Sequence, residues 1–265
     1  MALIRRLSRL ARLLVHVGAG IWQAAVMFQF CSMARRDQVI SVWSAKLLKI
    51  LGVTLKAGRP PEFDHGALLV ANHVSWLDIF VIHAARRVHF VSKHEIRSWP
   101  VAGWLANRAG TLFIQRAKKH DTARINSEMH ALLQDGAWVA VFPEGTSSDG
   151  RQLRRFMPSL FQPAVKENLP VVPAGLRYQT PEGNHCQAAA YIDEMTFGKS
   201  LWQIAGEAEI VARLDFCMPL RNSDRRSLAE SAHREISTCL GFEPMGRSPE
   251  LSGDLPAALL QTSAH

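Results

Sequence analysis

The sequence predicts an α/β protein, a mixed central sheet flanked by helices, with an N-terminal membrane-associating helical segment. Three observations carry this. From residue 66 to residue 240, short apolar runs alternate with stretches of helical periodicity, the pattern of strands and helices wound about one sheet. One of those runs, Ala137-Trp138-Val139-Ala140-Val141-Phe142, is apolar throughout, as a strand covered on both faces must be. Near the N-terminus, Leu13–Met33 is a stretch of 21 residues without formal charge, flanked on both sides by basic residues. A chain of 265 residues that is 48% hydrophobic can bury one sizeable core.

Taken in order, residues 1–60 read as a membrane-anchoring helical segment and linker. A helix over Leu13–Met33 could cross the ~30 Å hydrocarbon layer. It could equally lie in the interface, with its arginines on lipid phosphates and Trp22 and Phe28 dipped inward. A soluble core helix is the third reading. Both flanks are basic, so charge bias gives no orientation, and no small-x-small site closes the run as in a cleaved signal peptide. Residues 38–50 continue as an amphipathic helix, and Gly58–Asp64, with Pro60 and Pro61, reads as a linker. The catalytic core is placed at 61–240, beginning in earnest near Gly66. Within it we expect strands at Leu68–Ala71, Val88–Val91, Thr111–Gln115, Ala137–Phe142, Pro170–Leu176, Gln187–Ile192 and Ala208–Phe216. Helices are expected at Trp76–Ala85, Pro100–Arg108, His120–Gln134, Ser159–Glu167 and Arg226–Leu240. Residues 241–265, rich in Pro, Ser and Gly, read as a flexible tail.

Charge and cysteine usage exclude several function classes. Residues 1–50 carry Arg5, Arg6, Arg9, Arg12, Arg35, Arg36, Lys46 and Lys49 against Asp37 alone, which accounts for nearly all of the net +8. The basic character therefore belongs to the N-terminal segment, and no nucleic-acid partner is expected. Cys31, Cys186, Cys217 and Cys239 are far apart without a C-x-x-C pair, so neither a zinc site nor a disulfide framework is indicated. His94-Glu95 has no second histidine at metal-ligand spacing.

The chemistry-bearing residues sit where strands end. Asn72-His73-Val74-Ser75-Trp76-Leu77-Asp78 follows the apolar run Ala67–Ala71 and sets a histidine five positions before an aspartate, at a strand-to-helix turn. Ligands and reacting groups of open α/β sheets gather beyond the carboxyl ends of strands, and a His–Asp pair there can take a proton from an alcohol. The spacing alone is weak, because His130 and Asp135 share it. Those two lie near the end of one helical pattern about 140° apart around its axis, and they read as surface residues. A capping or purely structural role is the competing reading of His73. Phe142-Pro143-Glu144-Gly145-Thr146-Ser147-Ser148 runs from the buried strand into a turn whose glycine admits close backbone approach and whose N–H groups could meet an oxyanion; an ordinary turn is the alternative. Arg151, Arg154 and Arg155 follow, either as phosphate partners or as a solvated face. Gly110–Arg116 delivers an arginine to a strand end, a sound place for a bidentate phosphate contact, with a plain surface arginine as the commoner alternative, and Leu169–Ala174 brackets a β-branched pair with two prolines.

Together, in this order and spacing, these blocks resemble the glycerolipid acyltransferase family, whose best-known members are the 1-acyl-glycerol-3-phosphate acyltransferases. The resemblance rests on N-H-x-S-x-x-D at 72–78, G-x-x-F-I-x-R at 110–116, F-P-E-G-T at 142–146 and V-P at 172–173, and spans roughly residues 66–215. It implies that His73 and Asp78 are the catalytic pair. It makes Arg116, Glu144, Gly145 and Thr146 acceptor-binding residues, with Lys93 adding charge near an acceptor phosphate. It implies no metal and no cofactor beyond the acyl donor, acyl-CoA or an acyl carrier protein. The implied acceptor is a lysophospholipid, 1-acyl-glycerol-3-phosphate giving phosphatidate, at the inner membrane with the site facing the cytoplasm. One departure matters: many phosphate-acceptor members carry F-P-E-G-T-R-S, whereas position 147 here is serine. The form F-P-E-G-T-S-S-D-G is similar to bacterial enzymes that acylate lyso-ornithine lipid. An acyl thioesterase and a non-catalytic lipid-binding protein are the rivals from other classes.

Overall fold

The computed structural model describes residues 1–115 and 119–242. Helix α1 (Ala2–Ala25) and helix α2 (Met33–Leu51) precede strand β1 (Val53–Ala57). Then come β2 (Ala67–Ala71), α3 (Leu77–Ala85), β3 (His89–Lys93), α4 (Ala102–Arg108), β4 (Leu112–Ile114), α5 (Lys119–Gln134) and β5 (Trp138–Val141). The chain ends with α6 (Gln162–Lys166), β6 (Val171–Gln179), α7 (Phe197–Gly206), β7 (Ile210–Phe216) and α8 (Arg225–Leu240). The seven strands form one sheet in the order β1-β7-β6-β2-β5-β3-β4. All neighbours run parallel except β6 and β7, so the sheet is mixed, as the sequence predicts.

The central strand β2 is buried at every position, and its side chains alternate between two cores. Ala67, Leu69 and Ala71 face Leu47 and Leu51 of α2, Leu77 and Val81 of α3 and Ile204 of α7. Leu68 and Val70 face Ile125, Met129 and Leu133 of α5, Phe161 before α6, and Leu228 and Ile236 of α8. Each large aliphatic side chain so enclosed stabilises the fold by about 1.5–3 kcal/mol. Helix ends are set locally. Ser32 and Asp224 accept N–H bonds at the starts of α2 and α8, and Gly52 and Gly241 close both helices with positive φ.

Three elements differ from the sequence reading. Val53–Ala57 is a strand paired in register with β7, so the sheet starts N-terminal to the Pro60-Pro61 linker and to the boundary at residue 61. Only Val53 of β1 is buried, as befits an edge strand. Gln187–Ile192 forms no strand. It holds a short 3-10 turn at Gln187–Ala189 whose alanines enter the core without ladder partners. Helix α7, which the sequence did not signal, lies between that turn and β7, capped by Thr196. The tail from residue 243 lies outside the described residues.

Helix α1, with the short turn that follows it, is long and apolar enough to cross a membrane by length and composition. Three of its arginines and its histidine nevertheless turn to the protein. Arg5 Nε donates to the Gly206 carbonyl at 3.1 Å, Arg6 Nε to that of Trp202 at 3.1 Å, and the Arg9 guanidinium to those of Glu207 at 2.6 Å and Ala208 at 3.0 Å. The arginines expected on lipid phosphates thus satisfy the open carbonyls at the end of α7. His16 stacks on Trp43 of α2 with ring centroids 4.7 Å apart, and each bonds the other's carbonyl. Facing outward instead are Leu3, Ile4, Leu7, Leu14, Val15 and Trp22, an exposed apolar stripe at helical spacing.

Candidate active site

Two neighbouring strands, β2 and β5, end side by side. The chain leaving β2 enters α3 on one face of the sheet, and the chain leaving β5 reaches α6 on the other. Adjacent strands whose continuations diverge open a crevice at their carboxyl ends. His73 stands at its β2 side and Glu144 at its β5 side.

His73 Nδ1 lies 2.7 Å from Asp78 Oδ2. The same oxygen accepts the backbone N–H of Val74 at 2.7 Å and of Ser75 at 3.0 Å, because Asp78 in the first turn of α3 folds back over the motif loop. The other oxygen, Oδ1, accepts the Tyr178 hydroxyl at 2.7 Å. Asp78 is wholly buried, and with donors on both oxygens it is held as an acceptor, which fixes the His73 proton on Nδ1. Nε2 therefore carries the lone pair. It meets no hydrogen-bond partner among the described residues, and the imidazole is 23% exposed. Phe142 stacks on the ring at 4.2 Å between centroids and 11° between planes.

The backbone of His73 is gripped from both ends. Its N–H donates to Glu144 Oε1 at 2.8 Å, and its carbonyl accepts the Ser148 N–H at 2.8 Å. Glu144 Oε2 accepts the Arg154 N–H at 2.9 Å, so one carboxylate ties the motif loop to the returning arm of the 142–157 loop. Burial raises the Glu144 carboxyl above its ordinary value, against the lowering effect of the N–H groups of Arg154 and His73. Asn72 exchanges two bonds with the backbone of Leu176, Nδ2 to its carbonyl at 2.9 Å and Leu176 N–H to Oδ1 at 2.7 Å. The amide thereby extends the β2–β6 pairing past the end of β2.

The remaining expected residues are distributed around this centre. Gly145 adopts φ 74°, and its N–H is taken by the Phe142 carbonyl at 3.1 Å. The turn's open N–H groups are those of Thr146 and Ser147, which meet no partner among the described residues. The Thr146 side chain is exposed. Ser147 Oγ donates to the Tyr191 carbonyl, and the Tyr191 N–H in turn bonds the Val74 carbonyl at 2.9 Å. Lys93 stands exposed at the carboxyl end of β3, on the same rim of the sheet. Arg151, Arg154 and Arg155 are exposed; the first two give backbone N–H groups to Asp149 and Glu144, and none of the three guanidinium groups meets a carboxylate among the described residues. Arg116 lies outside the described residues. The other His–Asp spacing is not a pair: His130 Nδ1 sits 3.0 Å from Glu167 of the neighbouring helix end. Among the described residues, no group of three or more His, Cys, Asp or Glu side chains is arranged to hold a metal.

Sequence reasoning missed Tyr178 and Phe142. Their signals were slight: a tyrosine between Arg177 and Gln179 just past the apolar run Val171–Leu176, and an aromatic at the last position of the apolar run 137–142.

Comparison with known proteins gives the following. Residues 52–177 match the family model described as Acyltransferase. The chain is 35% identical over 237 residues to the 1-acyl-sn-glycerol-3-phosphate acyltransferase of Neisseria meningitidis serogroup B, covering 88% of this chain and 91% of that one. It is 33% identical over 252 residues to the lyso-ornithine lipid O-acyltransferase of Pseudomonas aeruginosa, covering 91% and 95%. The crystal structure of the 1-acyl-sn-glycerophosphate acyltransferase from Thermotoga maritima shares the fold with a TM-score of 0.66 at 19% identity, over 90% of this chain and 94% of that one.

Proposed function

The chain belongs to the acyltransferase family, and from that premise we propose that it esterifies the free hydroxyl of a lysolipid at a membrane surface, with His73 as general base. The observation that carries this is the 2.7 Å bond from His73 Nδ1 to the buried Asp78, with Nε2 open to the crevice. Nε2 takes the hydroxyl proton as the acceptor oxygen attacks the thioester carbonyl of acyl-CoA or an acyl carrier protein. The tetrahedral intermediate collapses, the C–S bond breaks, and the imidazolium returns its proton to the departing thiolate. Asp78 holds the tautomer and offsets the imidazolium charge, and general base catalysis of this kind contributes about 10²–10⁴-fold. Gly145 N–H is occupied by Phe142, so the N–H groups of Thr146 and Ser147 are the donors suited to the oxyanion. Glu144 acts through the backbone of His73, Gly145 shapes the turn, and Arg116 and Lys93 serve the acceptor headgroup.

The outward stripe of α1 supports a helix lying in the membrane interface: its apolar face is free, and Arg5, Arg6 and Arg9 are engaged in the protein. An inner-membrane site facing the cytoplasm fits a donor made in the cytoplasm. The acceptor is 1-acyl-glycerol-3-phosphate, which the Neisseria relative's name specifies, and the product phosphatidate. A second reading, lyso-ornithine lipid, is favoured by Ser147, which is turned to the Tyr191 carbonyl and supplies no cation.

The test presents labelled acyl donor with each acceptor to purified wild type, His73→Ala and Asp78→Asn. Transfer is expected in wild type and lost in both variants. Retained transfer by folded variants overturns the general-base reading, and thiol release without acceptor would instead indicate a thioesterase.

A further inference from the structure

Strand β6 is longer than the strand it flanks. Ala174 pairs with Ala71, the last residue of β2, and β6 then continues to Gln179. At about 3.3 Å per residue, Tyr178 lies about 13 Å beyond that last pair, beneath the loop that carries His73. Its backbone is pinned on both sides: it pairs with Ala212 of β7, and its carbonyl accepts the Cys186 N–H at 3.0 Å. The side chain is 2% exposed and ranks among the largest fully buried ones. Its hydroxyl points to one atom, Asp78 Oδ1, at 2.7 Å.

The two oxygens of Asp78 are thus treated unequally. Oδ2 takes three N–H donors from the motif loop itself, whereas Oδ1 depends on a donor from a strand 100 residues further along the chain. We propose that Tyr178 is a positioning residue for acyl transfer: its hydroxyl fixes the plane of the Asp78 carboxylate and draws off part of its charge, and so sets how readily His73 accepts a proton. Burial, and after it the Asp78 charge, holds the phenol well above its ordinary titration range, so the hydroxyl stays a neutral donor throughout. This inference rests on the reading of His73 as general base.

The sign follows from the charge. Removing the hydroxyl leaves more negative charge on Asp78, which stabilises the imidazolium and keeps the base protonated to higher pH. A stronger donor at the same place does the reverse. The experiment records the pH dependence of kcat/KM for acyl transfer by the full chain in detergent or vesicles. In Tyr178→Phe the acid limb is expected to move up by about half a pH unit or more, with kcat lowered about tenfold and KM for donor and acceptor unchanged. The chain has two tyrosines. Growth of a Tyr191→Phe variant on 3-fluorotyrosine therefore labels Tyr178 alone with a more acidic phenol of nearly the same shape. Relative to the same variant with ordinary tyrosine, its acid limb is expected to move down.

Opposite displacements establish the role. An acid limb unmoved by both changes overturns it, even if melting temperatures fall, since a purely packing role would lower stability without touching the profile. Should Tyr178→Phe not fold, the fluorotyrosine comparison decides alone. Activity surviving in Asp78→Asn or His73→Ala is a different outcome, which removes the general-base reading itself.

Discussion

Replacing Glu144 by glutamine separates two roles for this residue, because the change keeps the shape and removes one acceptor. Each carboxylate oxygen receives one backbone N–H, from His73 at 2.8 Å and from Arg154 at 2.9 Å, and the residue is only 8% exposed. The amide of Glu144→Gln can accept one of these bonds; the other N–H then faces an NH2 group. Loss of a hydrogen bond to a charged group in such a place costs about 1.5–3 kcal/mol. Were all of that to appear as misplacement of His73 in the transition state, kcat would fall by about 10- to 150-fold. Acyl transfer at saturating donor, with the acceptor concentration varied, measures it. The expected result is a lower kcat with acceptor KM unchanged, because both oxygens are spent on the protein's own backbone. A raised acceptor KM with kcat intact would refute the reasoning and return Glu144 to direct acceptor contact. Stability carries a second readout. Because burial raises the Glu144 carboxyl, its contribution is fully present below the ordinary carboxylate range and is lost as pH rises through the raised value. The stability advantage of wild type over Glu144→Gln is therefore expected to shrink with rising pH across that window, as read by melting temperatures.

Two further outcomes follow from the geometry. Asn72→Ala strips the Leu176 N–H and carbonyl of their partners in a buried place and should destabilise the fold by about 2–4 kcal/mol, measured by urea unfolding. Exchanging Leu7, Leu14 and Trp22 for serine should lower partition into vesicles by about 100-fold or more in a sedimentation assay, with melting unchanged, because those side chains are exposed on the outer side of α1.

The strand-end position of His73 was legible because β2 is a continuous apolar run that stops at a polar heptad, and both spacing and context survive in the structure. The decoy at His130 failed for the reason its helical phase gave: it turns toward Glu167, a neighbour in space only. What was illegible shares one cause. Val53–Ala57 exposes most of its side chains, so nothing in its pattern marks a strand until β7, more than 150 residues later, supplies the pairing. The apolar residues of Gln187–Ile192 announce burial, and burial was mistaken for a strand. Helix α7 holds glycine at both ends of a ten-residue stretch, which weakens its local signal. It forms against the core through Ile204, under the cap of Thr196 and the arginines of α1. Arg5, Arg6 and Arg9 looked like lipid ligands because their carbonyl partners are about 200 residues away. Tyr178 was silent for the same reason: its role depends on how far β6 overruns β2.

The clasp of Arg5, Arg6 and Arg9 on the end of α7 has a practical consequence. Ser200 of α7 accepts the Trp76 indole N–H at 3.0 Å, and Trp76 belongs to the heptad that carries His73. The N-terminal helix is therefore not a tether that can be trimmed to leave a soluble enzyme. Deleting it would expose the carbonyls at residues 202 and 205–208 and loosen the support of the motif loop from behind. The integrity of the reaction centre thus depends on α1 itself, and a foreign helix grafted in its place, without these arginines, would not restore it.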